Sequence, residues 1–264
     1  MDKGIIIASF GTSVEETRRK SISRIENAIH EAFPEAYSLR AFTSRMIRNR
    51  LIKEEGLHVF TEKEAYDHLL DRGLKEENIF IQPLHVIPGY EYEKLVKLDR
   101  GRVGLPLFSS KKDLDDFVGR MDFDLGEGEA LILFGHGTDH TNDVIYRDLQ
   151  EAFRRAGHDN IFVVCVEGNR PFAHVEEDLA GLGLKRVHVQ PLMIVAGVHA
   201  LEDMDSQEEG SLRRTLEERG YEVVSRMKGL GEYPEIVDMF VQKTRLLLEG
   251  SPLEDKDTYI GRQA

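Results

Sequence analysis

A repeated strand-end motif constrains the fold of this chain more than any other feature. Leu74-Lys-Glu-Glu-Asn-Ile-Phe-Ile-Gln-Pro-Leu84 returns, two residues shorter, as Leu184-Lys-Arg-Val-His-Val-Gln-Pro-Leu192. An earlier pair stands in the same order: Ile7-Ala-Ser-Phe-Gly-Thr12 parallels Leu133-Phe-Gly-His-Gly-Thr138. Two matched motifs in the same order, each at a strand end, point to an internal duplication. Aligning them sets Phe10 opposite His136 and Glu91 opposite His199. The Gly- and acid-rich stretch Asp122–Glu129 separates the copies, giving an N-terminal lobe over 1–125 and a C-terminal lobe over 126–264.

Each copy reads as alternating strand and helix. Apolar runs predict strands at 4–9, 37–42, 79–83, 130–135, 161–166, 186–191 and 221–226. Ile22, Ile25, Ile29 and Phe33 share one face of a helix over 14–33. Thr61 with Glu64 forms a capping-box pattern that starts a helix ending near Gly73. The segments 144–156, 171–181, 210–219 and 234–249 read likewise, with Pro171 and Pro234 near starts and Gly157, Gly181 and Gly220 as stops. Strand, helix, strand with short connections implies parallel pairing and right-handed crossovers. The expected fold is α/β: two similar lobes, each a mainly parallel sheet of about four strands flanked by helices.

Composition excludes several classes of function. With 264 residues and 41% hydrophobic content the chain can bury a substantial core. A net charge of −13 argues against nucleic acid or an anionic membrane as the main partner. No apolar run approaches the ~18 residues of a membrane span, and the first strand leaves no room for an export signal. Cys165 is the only cysteine, so no internal disulfide forms and a cytoplasmic location is expected. Lying in Phe162-Val163-Val164-Cys165-Val166, it reads as a small core side chain.

Three residues end apolar strands in the second half: His136, Glu167 and His199. They are 31 and 32 residues apart, one βαβ step each. The carboxyl ends of neighbouring parallel strands open into one crevice, where ligands bind. Two imidazoles and a carboxylate converging there would suit a borderline divalent metal. The remaining histidines read differently. His30, His68 and His174 fall on helices, His158 in a turn and His188 inside a strand. His85 is ranked low because its counterpart is Met193. For Glu167 the rival reading is an N-cap for a helix starting at Pro171.

These motifs carry a family resemblance. SFGTS near the start, AFTSRMI at 41–47, QPLHVIPG at 82–89, GHGT at 135–138, VEG at 166–168 and QPLMIVAGVHALEDM at 190–204 span nearly the whole chain. Together they resemble the two-lobed anaerobic-type cobaltochelatases of cobalamin biosynthesis, within the class II tetrapyrrole chelatases. The resemblance implies Co2+ insertion into sirohydrochlorin in a cleft between the lobes, with His136, Glu167 and His199 as metal and catalytic residues. It implies no permanently bound cofactor, since Co2+ is a substrate. Fe2+, Ni2+ or Zn2+ would suit the same ligands. Thr141–Val144 and Asp205–Gly210 lie between or beyond these motifs, and no role is carried onto them.

The implied substrate carries many peripheral carboxylates, while the protein is acidic, so local donors must outweigh the global charge. Arg45, Arg48, Arg50 and Lys53 form a basic stretch, with Arg45 as the leading carboxylate partner; the rival reading is a solvated helix face. Backbone N–H groups at Gly11, Thr12 and Ser13 offer a second anion site. Phe10 and Tyr90 are candidates to line the tetrapyrrole site, although a core position is the plainer reading for Phe10 and Phe42. Alternatives left open are an Fe2+ or Ni2+ chelatase on sirohydrochlorin and a non-enzymatic tetrapyrrole or haem carrier. A two-lobed sugar binder is a weaker third. The sequence also leaves a homo-oligomer open.

Overall fold

In a computed structural model of the chain, residues 2–197, 200–250 and 258–260 are described. The strands are β1 (Lys3–Ser9), β2 (Ala36–Phe42), β3 (Ile79–Pro83), β4 (Arg102–Val103), β5 (Glu129–Gly135), β6 (Ile161–Cys165), β7 (Arg186–Pro191) and β8 (Glu222–Ser225). The α-helices are α1 (Glu15–Thr17), α2 (Ser23–Ala32), α3 (Arg45–Glu55), α4 (Glu62–Asp71), α5 (Tyr90–Lys97), α6 (Lys111–Arg120), α7 (Val144–Arg155), α8 (Glu176–Gly181), α9 (Leu212–Glu218) and α10 (Pro234–Glu249). A π-helical turn, Arg18–Ile22, joins α1 to α2.

Each half forms its own four-stranded parallel sheet. The strand order is β2-β1-β3-β4 in one and β6-β5-β7-β8 in the other. Strands buried on both faces need continuous apolar runs, and Ile5, Ile6 and Ile7 in β1 and Leu131, Ile132 and Leu133 in β5 supply them. In the first sheet Ile6, Ala8, Ile79 and Ile81 pack with Tyr66 and Leu69 of α4. In the second, Ile132, Phe134, Val164 and Val189 pack with Leu179, Leu212 and Leu216.

The duplication extends to individual main-chain bonds. Ile7 pairs with Gln82 as Leu133 pairs with Gln190. Beyond the strand ends, Leu84 N–H donates to Ala8 O and Leu192 N–H to Phe134 O, both at 2.8 Å or less. Phe10 and His136 therefore hold the same place in their sheets. In both, the chain leaves the central strand, adds a neighbour on one side and then crosses to the other. The carboxyl ends of β1 and β3, and of β5 and β7, are topological switch points.

Local chemistry explains the helices. The Thr61–Glu64 capping box forms, with both bonds present. Ile22, Ile25 and Ile29 face the core, and Pro234 occupies the first turn of α10. The segment expected as one helix over 171–181 is a 3-10 turn, Phe172–His174, followed by the short α8.

Packing divides the chain away from Asp122–Glu129. One unit contains Met1–Ser109 with Gly231–Ile260, and the other contains Ser110–Leu230. Helix α6 belongs with the second because Phe117 meets Phe153 of α7 edge-on, ring centroids 6.2 Å apart. Helix α10 belongs with the first, where it packs on α2. The supposed linker is tied into the second unit, with Arg226 donating to the carbonyls of Phe123 and Asp124.

Candidate metal centre

His136 is the first residue beyond β5, and Glu167 is the second beyond β6. Glu167 N–H donates to His136 O at 2.8 Å, and Val166 N–H donates to Gly135 O at 3.1 Å. The β5–β6 pairing thus runs past the strand ends and carries both residues onto one rim. His136 is half-buried and Glu167 exposed. His136 Nδ1 lies 3.2 Å from the carbonyl of Gly137. A carbonyl only accepts, so this contact requires the tautomer with its proton on Nδ1, in which Nε2 is the basic nitrogen.

Close approach of the two loops depends on glycine. Gly137 has φ +77°, and a Cβ there would sit 1.9 Å from Glu167 O. Gly168 has φ +79°, and its Cβ would sit 2.5 Å from Asp143 Oδ1. Any side chain at either position would push the loops apart.

His199 lies outside the described residues, so its expected approach to His136 is not described. Among the described residues, no three His, Cys, Asp or Glu side chains group closely enough to hold a metal. His136 and Glu167 are neighbours on this rim through the backbone bond between them. The N-cap reading of Glu167 does not hold: the 3-10 turn after Pro171 takes no side-chain cap. Cys165 is buried, and burial pushes its thiol up, away from thiolate chemistry.

In the first unit, Ser44 N–H donates to Phe10 O at 3.3 Å, the counterpart of the Glu167–His136 bond. Phe10 is 45% exposed and not a core residue, whereas Phe42 is fully buried. Tyr90, at the start of α5, is exposed. The basic stretch, which becomes α3, separates by role. Arg48 is buried, donating to Val59 O at 2.7 Å and pairing with Glu64 at 2.7 Å. Arg50 pairs with Glu54. Arg45 is exposed, one residue past Ser44, and makes no ion pair or hydrogen bond among the described residues. At the first helix, Gly11 and Thr12 are buried and Ser13 half-buried. Thr12 Oγ1 accepts from Val14 N at 3.2 Å, so part of this turn serves the helix itself.

Glu91, aligned by the duplication with His199, accepts from Thr43 Oγ1 at 2.6 Å and pairs with Lys94. Burial alone would raise its carboxyl, but Lys94 and Thr43 hold it below the ordinary range. Asp143 lies in Thr141–Val144, a stretch to which the sequence assigns no role. A cavity of about 420 Å³ in the second unit is lined by Phe134, Val164, Phe172, Glu202, Asp203 and Glu208 among others. Neither His136 nor Glu167 lines it, and its carboxylates would repel a polyanionic ligand.

The fold matches that of solved chelatases. The sirohydrochlorin chelatase SirB from Bacillus subtilis subspecies spizizenii, solved in complex with cobalt, has a similar fold. The TM-score is 0.61 at 14% identity, covering 98% of this chain and 100% of that one. The two four-stranded parallel sheets define a chelatase-type α/β fold. The chain belongs to the cobalt chelatase (CbiK) family, which matches residues 3–249. It is 32% identical over 252 residues to the sirohydrochlorin cobaltochelatase of Salmonella typhimurium, covering 91% of this chain and 94% of that one. It is 29% identical over 257 residues to the sirohydrochlorin cobaltochelatase CbiKC of Nitratidesulfovibrio vulgaris, covering 90% and 88%.

Proposed function

We propose that this chain inserts Co2+ into sirohydrochlorin, with His136, Glu167 and His199 as the transient metal ligands. The family match across residues 3–249 carries the reaction. The His136–Glu167 pair supports the residue assignment. Insertion exchanges two pyrrole N–H protons for one divalent ion. The site must hold the metal incompletely, because macrocycle nitrogens have to displace protein ligands. An open pair from adjacent strand ends suits this better than a closed tetrahedral cage. His136 offers Nε2 as ligand and proton acceptor, and the neighbouring Glu167 carboxylate adds the charge that favours a cation.

Phe10, Tyr90 and Arg45 are proposed to contact the macrocycle, the aromatic residues along its face and Arg45 at its peripheral carboxylates. The exposure of all three supports this. The proposed setting is the cytoplasm. Among the described residues, no helix is long and apolar enough to cross a membrane. Anaerobic incubation with sirohydrochlorin and Co2+, followed by absorbance, tests the reaction. The macrocycle spectrum should change with turnover. Binding of sirohydrochlorin without faster metal insertion would overturn the enzymatic reading in favour of a carrier, and faster insertion of Fe2+ or Ni2+ would reassign the metal.

A further inference from the structure

We propose that Asp143 is a positioning residue for the metal centre, its buried carboxylate tying the loop that carries His136 to the loop that carries Glu167. This rests on the reading of His136 and Glu167 as metal ligands. Asp143 is 3% exposed. Its Oδ1 accepts from Thr138 N at 3.1 Å, and its Oδ2 accepts from Asn169 N at 2.9 Å. Thr138 lies two residues past His136, and Asn169 two past Glu167. One rigid group therefore fixes both loops at matching distances from the residues that matter.

Ordinary structural roles do not account for this carboxylate. Asp143 occupies the position before α7 but has helical backbone angles and caps nothing there. The adjoining 3-10 turn is capped by His140, whose Nδ1 accepts from Asn142 N at 3.0 Å. No Lys, Arg or His forms an ion pair with Asp143 among the described residues. Burying a carboxylate without a cation is costly, and two backbone donors are its compensation. Both donors come from the ligand-bearing loops, and Gly168 leaves room for the oxygen to approach. A metal centre with an incomplete ligand set cannot rely on the ion to organise it, so its geometry must be held by surrounding groups.

Titrating the protein with Co2+ alone, without tetrapyrrole, tests the clamp through the visible d–d bands of bound Co2+. Asp143→Ala should raise the half-saturating Co2+ concentration about 10–100-fold and alter the band shape. Asp143→Asn keeps the shape and one acceptor oxygen, so it should give a smaller rise in the same direction. In turnover the KM for Co2+ should rise in both, with the KM for sirohydrochlorin unchanged. Far-UV circular dichroism checks folding, and Asp143→Asn decides the matter if Asp143→Ala does not fold. His136→Ala runs in parallel. If it binds Co2+ like the parent, the metal-ligand reading fails and the clamp with it. If His136→Ala loses Co2+ while the folded Asp143 variants keep parental affinity and bands, the clamp alone is overturned.

Discussion

Glu167 donates its backbone N–H to the carbonyl of His136 at 2.8 Å. In the other copy, Ser44 makes the same bond to Phe10 at 3.3 Å. Duplication has thus produced two equivalent rims with different side chains: an imidazole and a carboxylate on one, an aromatic ring and a hydroxyl on the other. The chemistry of metal exchange fits only the first. His136→Ala should lower cobalt insertion by about 10²–10⁴-fold, the usual cost of losing a general base, with sirohydrochlorin affinity little changed. Phe10→Ala should show the opposite pattern. Separate equilibrium binding and single-turnover insertion measurements distinguish them, and near-parental insertion in His136→Ala would remove it from the mechanism.

Arg45 and Arg48, three residues apart on α3, should respond differently to truncation. Arg45→Ala should weaken sirohydrochlorin binding by about 1.5–3 kcal/mol, the range for a charge-assisted hydrogen bond, with no change in melting temperature. The loss should shrink at high salt and for tetrapyrroles with fewer carboxylates. Arg48→Ala should instead destabilise the fold by about 1–3 kcal/mol, because it leaves Val59 O without its buried donor. Calorimetry for binding and chemical denaturation for stability separate the two. Equal effects of both variants on binding would reject the division.

The sheets were legible in the sequence because buried parallel strands are continuous apolar runs, and because β3 and β7 share the closing Gln-Pro-Leu. Strand β4 was not, since Arg102–Val103 is two residues long and owes its place to pairing with Phe80 and Ile81. The basic run Arg45–Lys53 is open to reading as a solvated helix face, and it does form α3. Helices α5 and α6 pass unmarked because charge dominates their sequences, although Ser110 and Asp113 form a second capping box. At the candidate site, the sequence placed His136 and Glu167 on strand ends. It could not show Asp143 reaching two loops 31 residues apart, since hydrogen bonds to backbone N–H leave no mark on residue type. Arg48 looked like its neighbours until burial set it apart.

Glu129 gives a pH-dependent stability whose sign is fixed by its partners. The Gly126 N–H, followed by His188 and Arg186, holds its carboxyl down to about 2. An unfolded glutamate titrates near ~4.3, so between these values the unfolded chain binds more protons. The stabilisation is complete above the unfolded value and is lost as pH falls toward 2. Glu129→Gln should therefore melt below the parent at neutral pH, and the gap should close on acidification. A gap that stays constant from pH 6 to pH 3 would show that the carboxylate charge contributes nothing.

His85 should make the first unit acid-sensitive at a higher pH. Its side chain is 9% exposed, and neither ring nitrogen has a hydrogen-bond partner among the described residues. Burial lowers its pKa to about 4, with Glu91 offsetting part of the effect and Lys94 adding to it. The unfolded imidazole titrates near ~6.5, so between 6.5 and 4 only the unfolded chain takes up the proton. Stability at neutral pH is unaffected by this group and falls as pH drops through that window, by roughly 3 kcal/mol at full extent. His85→Phe removes the titration and leaves no unpaired ring nitrogen. Its stability relative to the parent should rise steadily between pH 7 and pH 4 in urea denaturation series. If the two proteins instead lose stability in parallel, His85 titrates alike folded and unfolded, and its burial does not cause the acid sensitivity.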